Sequence, residues 1–418
     1  MYKMGKFKTY IFIGACGLLI AGALVFIPLP TADIWLKCVL FIVGYIIWDA
    51  CYTIANVPYG SMLSLVTEDA GERAQLSTWR SVGSMFGNLL PNIILPMLIW
   101  KNRVDAAGNP VINPETGKQI QDLMGETVFW VALLMGVLGF IAFMFMIKKI
   151  TIRVDEDTVK TKEGGEKFNV LVAFKNFIKN RPALGATIAA VGMFLGMQSA
   201  TTANTIMFAT YFGKAELSGL VMIIGFLPMF FFMPFIKKIV DKYGKKEASV
   251  VGTLVSIVGG VIMLIFPTIA NADIGLIIYV VGLVFFGMGL GVYTCVSWAL
   301  MADAIDYNEW KTGKREEGVV YSLHSFFRKL AQGVGPSIVL VLMGVLGYVS
   351  ELGTEGQSLA TAQNMCWLVA GLYLFSALVQ FVGITFVYNL DKKTLAKMAD
   401  ELSARHGEEE NAQAPIAE

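Results

Sequence analysis

The chain has 418 residues, of which 56% are hydrophobic and 16% are charged, and its mean hydropathy is +0.62. Soluble domains carry about a quarter charged residues, so this composition excludes an ordinary soluble protein. The net charge of +1 gives no sign of nucleic-acid binding. No nucleotide-binding loop, metal-binding signature or serine-nucleophile motif occurs, so we expect neither an enzyme nor a cofactor.

Long apolar runs recur along the whole chain, and they predict an all-α, polytopic membrane protein. Most are long enough to cross about 30 Å of hydrocarbon as a helix. We predict about ten spans, at about residues 9–29, 34–62, 80–100, 126–148, 183–211, 217–237, 248–267, 273–301, 319–348 and 364–389.

Basic residues are distributed unevenly among the connecting segments. If the N-terminus is cytoplasmic, only four of the 33 Lys and Arg residues fall in outer loops, namely Lys101, Arg103, Lys118 and Lys214. Cytoplasmic loops of membrane proteins carry the excess of basic residues. The sequence therefore predicts a multi-pass protein of the plasma membrane, the inner membrane of a bacterium, with both termini cytoplasmic.

A long charged segment separates the first four spans from the last six. It ends in an amphipathic stretch in which Val170 and Phe174 lie opposite Lys175 and Lys179, a pattern typical of an interfacial helix. We predict four regions: an N-terminal bundle at 1–148, a cytoplasmic central loop at 149–181, a C-terminal six-helix bundle at 182–390 and a cytoplasmic tail at 391–418.

The two halves resemble each other. "KMGKFK" begins a stretch from Gly5 to Pro28, and "DKYGKK" begins one of equal length from Gly244 to Pro267. Duplicated halves are typical of transporters. Two spans of the second half precede "DKYGKK" and none precedes "KMGKFK", so we expect about ten of twelve helices, without the first two.

One polar stripe interrupts the second span. Asp49, Tyr52, Thr53 and Asn56 lie on one helical face, which is costly in hydrocarbon unless it faces protein or water. Two interpretations stay open: a wall of a polar substrate or ion site, or a helix–helix contact made by hydrogen bonds.

A second polar group lies in the ninth span. It contains His324, Ser325, Arg328 and Lys329. Arg328 is expected to extend its guanidinium toward the cytoplasm, whereas Lys329 lies deeper and needs a carboxylate such as Asp49, a carbonyl or water as its partner.

Two other side chains are candidates for sugar contacts. Arg80 begins the third span, where a guanidinium can bind sugar hydroxyls or a carboxylate or can anchor the helix at the interface. Trp298 offers a ring for stacking on a sugar, although packing is the commoner role of a tryptophan.

Two charged segments, Thr67–Arg80 and Asp303–Gly318, occupy similar positions in the two halves. We expect them to be cytoplasmic loops that pair with each other when the carrier is closed, through exposed ion pairs of about 0–1 kcal/mol each. The alternative is a pair of solvated loops. The gate residues are Asp69, Glu72, Arg73, Asp303, Asp306, Arg315 and Glu316.

Three strings resemble the glycoside–pentoside–hexuronide:cation symporters of the major facilitator superfamily. They are "GKFK" at 5–8, "YTIANVPYGSMLSLVTEDAGERAQLSTWR" at 52–80 and "DAIDYNEWKTGKREEGVVYSLHSFFRKL" at 303–330. The resemblance covers nearly the whole chain. It implies a twelve-helix fold and sugar uptake driven by Na⁺ or H⁺, with no metal other than a transported Na⁺.

The resemblance also implies roles for individual residues. Tyr52 and Thr53 match positions at the sugar and cation sites, and Asn56 stands where melibiose carriers have a sugar-binding aspartate. Arg80 matches a sugar-binding arginine, and Lys329 matches a lysine near the cation site.

His324 and Ser325 line the same helix as Lys329 and are assigned to the sugar with Trp298. Asp49 stands where melibiose carriers have a small residue, so the resemblance implies no role for it, and it is assigned to the cation from its position in the polar stripe alone.

The sequence thus predicts a cation-coupled symporter of a glycoside, pentoside or hexuronide that works by alternating access, with cation and sugar bound between the halves. The lipid bilayer and the sugar are its expected partners, with no nucleic acid and no obligatory protein partner. The alternatives are a truncated carrier that serves as a sensor or has no activity, and a lipid-handling relative.

Overall fold

The computed structural model describes residues 5–29, 31–66, 70–115, 117–151, 170–232, 235–313, 317–353 and 356–413. Almost all of this chain is helical, with one short hairpin of strands β1 (Trp100–Asn102) and β2 (Gln121–Leu123). The helices are α1 (Lys6–Val25), α2 (Ile34–Val66), α3 (Ala70–Ile99), α4 (Gly125–Lys149), α5 (Val170–Lys179), α6 (Arg181–Met207), α7 (Leu217–Phe232), α8 (Ile236–Tyr243), α9 (Lys245–Met263), α10 (Ala272–Thr312), α11 (Glu317–Val345), α12 (Leu359–Val382) and α13 (Lys392–Gln413).

Eight helical stretches of the described chain are long and apolar enough to cross a membrane. Two shorter apolar stretches, Phe86–Ile99 and Leu217–Met229, fall in the third and sixth predicted spans. The prediction of an all-α, polytopic membrane protein is confirmed.

The chain divides into two compact units. The first contains Met1–Lys101 and Asp122–Glu166, and the second contains Asn102–Gln121 and Lys167–Glu418. The four-region division drawn from the sequence stays a prediction. Helix α5 occupies the amphipathic end of the predicted central loop and belongs to the second unit.

The first unit is built around α1, which packs against α2 and α4. Its helices remain largely uncovered: none of the apolar window of α4 and only 11% of that of α2 is buried, against 50% for α10 and 44% for α12. These uncovered faces need hydrocarbon, from lipid or from another helix, because their side chains are apolar.

The second unit has a continuous core. Helix α10 packs against α9 and α7, and α6 packs against α11 and α12, with Tyr279, Phe286 and Tyr373 completely buried. Small residues allow the closest approaches, as is usual between membrane helices. A Cβ atom added at Gly282 of α10 would lie 2.8 Å from the carbonyl oxygen of Gly259 of α9, so only glycine fits there.

The sequence repeat has a structural counterpart. Gly5 precedes α1 with φ 86° and ψ 158°, and Gly244 precedes α9 with φ 107° and ψ 157°. This backbone region is open essentially to glycine alone. The matching strings "KMGKFK" and "DKYGKK" therefore encode the same sharp entry into a helix in each unit.

The prediction of two charged loops was wrong for most of their length. Helix α10 continues through residues 303–312 and ends at Gly313, whose φ of 70° is the common way to terminate a helix. Helix α3 already begins at Ala70. Charged residues in the end turns of a helix that leaves the membrane produce the same composition as a loop, which explains the error.

The segment 102–121 follows a helix of the first unit in the chain but folds with the second unit. At its start, the backbone N–H groups of Ala107 and Asn109 each donate to Oδ1 of Asp105 at 2.8 Å. The bond from the backbone of Asn109 contributes most to lowering the pKa of Asp105 below its ordinary value. The turn therefore favours the ionised form of the Asp105 side chain.

Gln121 attaches the end of this segment to the second unit. Its Nε2 donates to Oε2 of Glu216 at 2.7 Å and to Oδ1 of Asn102 at 2.7 Å, while its Oε1 accepts from the backbone N–H of Ala215 at 2.6 Å. Asn113 adds a bond from Nδ2 to the carbonyl oxygen of Gln357 at 3.3 Å. Since Gln121 is buried, these bonds form away from competing water.

We expect Gln121→Leu to lower the free energy of unfolding by about 1–3 kcal/mol, because the replacement leaves buried donors and acceptors without partners. Thermal unfolding of the purified protein, followed by intrinsic fluorescence, measures the loss. Gln119→Leu is the matched control, since Gln119 is half-buried two residues away. Equal midpoints for the two variants would contradict the attachment through Gln121.

Candidate functional site

The polar stripe of the first unit lies on α2, as the sequence predicts. Asp49, Tyr52 and Thr53 are exposed within that unit, and Asn56 is half-buried. The hydroxyl of Thr53 donates to the backbone carbonyl of Asp49 at 3.0 Å. All four lie within the candidate span Ile34–Asn56, so a membrane helix presents a polar face that its own unit leaves uncovered.

A row of stacked aromatic rings adjoins this stripe. Phe41, Tyr45, Trp48 and Tyr52 follow one another along α2 with ring centroids 6.1, 6.1 and 5.8 Å apart. Tyr52 thus ends an aromatic row as well as belonging to the polar stripe. Tyr45 and Trp48 were missed as site candidates. Trp48 lies four residues before Tyr52 and three after Tyr45, so the helical spacing of the row is visible in the sequence.

The second unit brings two predicted site residues together. The rings of Trp298 on α10 and His324 on α11 meet edge to face, with centroids 6.1 Å apart. Tyr321, one turn before His324, stacks on Trp298 at 5.9 Å. The buried imidazole is oriented by a 2.9 Å hydrogen bond between its Nδ1 and the hydroxyl of Thr187 on α6.

Arg328 adds a positive charge to this group. Its guanidinium carbon lies 4.8 Å from the ring centroid of Trp298 and 5.6 Å from that of Phe194 on α6. Such cation–π contacts hold the cation without neutralising it. The structure thus places the guanidinium of Arg328 against aromatic rings of its own unit, and its expected extension toward the cytoplasm stays a prediction.

We call Thr187, Trp298, Tyr321, His324 and Arg328 the tryptophan cluster. Two buried polar atoms have no hydrogen-bond partner in the described structure. One is Nε of Arg328, within the cluster, and the other is Oγ of Ser325, the predicted site residue that follows His324 in the chain. A buried polar group without a partner costs about 1–3 kcal/mol, which a bound ligand or water can recover. The cluster therefore has hydrogen-bonding capacity left for a ligand.

Sequence reasoning missed part of this cluster. Tyr321 shares the helical face of His324 and Arg328 at intervals of three and four residues, so the spacing could have indicated it. Thr187 lies 137 residues from His324 in the chain, and no local pattern marks it. Lys329, the predicted cation-site residue, is exposed on α11.

The remaining predicted residues are placed only in part. Arg80, Glu72 and Arg73 belong to helix α3, and their side chains lie outside the described structure. Asp69, Arg315 and Glu316 fall outside the described residues altogether. Asp306 is half-buried on α10.

Asp303 has a partner other than the one expected of a gate residue. The ammonium of Lys245, at the start of α9, donates to both of its carboxylate oxygens at 2.6 and 2.8 Å. The phenol of Tyr388 donates to the same carboxylate at 3.5 Å. Burial, and then the charge of Asp303, raise the pKa of Tyr388, which keeps the phenol protonated and able to donate.

Metal binding finds no support in the described part of the chain, where no three His, Cys, Asp or Glu residues are close enough to hold an ion. The tryptophan cluster offers one indole ring, one phenol ring, one imidazole, one guanidinium and hydroxyl groups. Such a set suits a polyhydroxylated ligand, which offers C–H faces to aromatic rings and oxygen atoms to donors.

Relatives of known name match nearly the whole chain. The "Uncharacterized symporter YjmB" of Bacillus subtilis is 28% identical over 403 residues, which are 96% of this chain and 80% of the relative. The "Isoprimeverose transporter" of Lactiplantibacillus pentosus is 26% identical over 97% of this chain and 78% of its own length. The "Glucuronide carrier protein homolog" of Escherichia coli is 25% identical over 94% and 79%.

Among solved structures, the crystal structure of a D-xylose-proton symporter has the same fold. It matches with a TM-score of 0.58 and 15% identity over 92% of this chain and 82% of that one. The prediction of a transporter rather than an enzyme is confirmed by these relatives and by the match of residues 1–392 to a transporter family. The chain belongs to the family of MFS/sugar transport proteins, within the major facilitator superfamily.

Proposed function

We propose that the protein is a cation-coupled symporter that carries a sugar or glycoside across the bacterial inner membrane by alternating access, with both termini cytoplasmic. The observation that carries this proposal is the tryptophan cluster, whose aromatic faces and unpartnered Arg328 and Ser325 atoms offer the two kinds of contact that a sugar needs. The proposal requires no cofactor beyond the coupling cation.

The names of the relatives favour the same substrate class. They include a symporter, a carrier homolog for glucuronides and a transporter of isoprimeverose. We therefore favour a glycoside, pentoside or hexuronide over a lipid, and transport over a sensor function. No described feature of the structure favours those alternatives.

Each unit contributes a face to this proposed function. In the first unit, Asp49 is a carboxylate within a membrane span beside the hydroxyl groups of Tyr52 and Thr53, and these are suitable oxygen ligands for a coupling cation. In the second unit, the tryptophan cluster, which includes His324, binds the sugar together with Ser325. Asn56, Arg80 and Lys329 complete the set of proposed contacts.

Uptake of labelled sugars into proteoliposomes tests the function directly. A pentoside, a glucuronide and a hexoside are each offered with an imposed H⁺ gradient, an imposed Na⁺ gradient or neither. We expect at least one sugar to accumulate only when one cation gradient is present. Arg80→Ala and Lys329→Ala are each expected to abolish accumulation, because a charged contact to the sugar or to the cation site is lost.

Lys397→Ala is the control for these two variants, since Lys397 is an exposed residue whose 3.7 Å ion pair with Glu401 lies within α13. Normal accumulation by the Arg80 or the Lys329 variant would remove that residue from the proposed site. Equal uptake with and without gradients would exclude symport.

The role of the tryptophan cluster has its own prediction. Trp298→Ala is expected to weaken equilibrium binding of the transported sugar about tenfold, equivalent to about 1.4 kcal/mol, because a stacking face is removed and Arg328 is released. Trp298→Phe is expected to retain part of the affinity. Binding of labelled sugar to the purified protein gives both values.

Trp367→Ala is the matched control for this prediction. Trp367 on α12 is 44% exposed and Trp298 is 47% exposed, so the two substitutions remove similar rings from similarly accessible positions. Equal affinities of the Trp298 and Trp367 variants would contradict the assignment of the sugar to this cluster.

The ion pair of Lys245 with Asp303 yields a prediction about stability rather than affinity. Lys245→Gln leaves a mostly buried carboxylate without its cation, and we expect a loss of about 1–3 kcal/mol in the free energy of unfolding. Thermal unfolding measures it, with Lys397→Gln as the exposed-pair control that is expected to stay within about 0.5 kcal/mol. A gate residue that pairs only in one state of the cycle would instead show little effect in a static unfolding experiment.

A further inference from the structure

A cavity of about 260 Å³ lies in the second unit between α5 and the last turns of α10. We call it the lysine pocket. Asn176, Lys179 and Asn180 line it from one side, and Tyr307, Lys311 and Thr312 line it from the other. None of these residues belongs to the tryptophan cluster or to the polar stripe of α2, so the proposed transport site does not use this pocket.

The frame of the pocket is well fixed. The side-chain amide of Asn180 donates to the carbonyl oxygen of Ala304 on α10 at 2.8 Å, and its oxygen accepts from the backbone N–H of Ala183 at 3.0 Å. On the other side of α5, buried Phe177 stacks on Phe327 of α11. Phe177 thereby holds α5 to α11, and Asn180, which joins α5 to α6, holds the end of α5 near α10.

The charge of the pocket is positive. Positions 307, 308, 311 and 312 share one face of α10, whereas Asp306 lies on another. Asp303, one turn before Tyr307, is already paired with Lys245. Within the described chain, the lining contains two lysines and no carboxylate. The ammonium of Lys311 lies 4.1 Å from the ring centroid of Trp310 and 5.9 Å from that of Tyr307, and neither contact neutralises it.

The depth of the pocket relates it to the membrane surface. Lys179 precedes the candidate span Arg181–Phe212 by two residues, and Thr312 is the last residue of the candidate span Ala272–Thr312. The wall that contains Lys179 therefore lies near the start of a membrane helix, where lipid phosphates occur. The stretch that ends at Thr312 is 41 residues long, which is longer than a bilayer is thick, so the wall formed by α10 extends toward water and dissolved phosphate compounds.

We propose that the lysine pocket binds a phosphate group. Two ammonium groups supply hydrogen-bond donors and balance the charge of a phosphate monoester, and lysine serves commonly as a point charge for phosphate. The hydroxyl of Tyr307 is a further donor. The bound group links α5 to α10 and so stabilises the position of α5.

Two sources can supply the phosphate, and the experiment separates them. The full-length protein is titrated with inorganic phosphate at constant ionic strength, with chloride as the reference anion, and is also placed in nanodiscs of phosphatidic acid or of phosphatidylcholine. At about ten times the dissociation constant we expect the midpoint of thermal unfolding to rise by about 2–4 °C. A response to inorganic phosphate indicates a soluble ligand, and a response to phosphatidic acid alone indicates a lipid.

Variants decide whether the response comes from this pocket. Lys179→Gln, Lys311→Gln and the double variant are expected to lose the response, and these exposed positions leave the fold unchanged. Lys175→Gln is the matched control, since Lys175 is an exposed lysine one turn earlier on α5 and outside the pocket. The proposal is overturned if the wild type responds to neither ligand, or if the Lys175 variant and the double variant respond alike.

Discussion

Hydrocarbon offers no hydrogen bonds, so a polar side chain within a membrane helix is stable only where the protein, a ligand or a water-filled cavity supplies a partner. In the second unit, this constraint acts mainly through α6 and its N-cap. Asn180 donates to the carbonyl of Ala304, Asn204 accepts from Tyr279 at 2.8 Å, and Thr187 pairs with His324. The first two bonds fix α6 against α10, and the third fixes it against α11. Removing any of them leaves a buried polar group, so the three bonds select one arrangement of these helices.

The same constraint explains why the tryptophan cluster is credible as a binding surface. Its framework is satisfied, since Thr187 orients the imidazole and the aromatic rings hold the guanidinium. Its unsatisfied atoms, on Arg328 and Ser325, belong to residues one turn apart on α11. The first unit differs, because its Asp49 and Tyr52 are left uncovered by their own helices. The proposed sugar-binding cluster of the second unit is thus held by contacts within its own unit, whereas the polar stripe of α2 is uncovered within the first unit.

Much of the architecture could be predicted because it follows from local patterns. Apolar length gives the spans, and the paired glycines Gly5 and Gly244 show that the repeated strings encode one backbone conformation. The ends of α3 and α10 were missed because charge at a helix end has the composition of a loop. The expected absence of two helices stays a prediction.

Long-range contacts were beyond the reach of local patterns. The bonds of Gln121 to Glu216 and of Thr187 to His324 join residues 95 and 137 positions apart, and each depends on how helices pack. Arg328 shows the same limit: its contacts with Phe194 and Trp298 depend on how α6, α10 and α11 pack, and its position in the sequence does not reveal them.

Lys245 and Arg328, two cations of the second unit, differ in the groups that surround their charges, and this difference distinguishes a structural role from a proposed binding role. Lys245 neutralises the carboxylate of Asp303, to which Tyr388 also donates. The charge of Lys245 therefore serves the fold. Arg328 lies against two aromatic rings, which attract it through their quadrupoles but leave its net charge and its Nε–H available. A transported substrate must bind and leave. A cation held by aromatic rings, like Arg328, suits this requirement better than one paired with a carboxylate, since no buried carboxylate is left unpaired when the substrate departs. By this argument, Asp303 and Lys245 belong to the fixed framework toward the C-terminal end of α10, and the proposed substrate contacts lie farther along that helix, around Trp298.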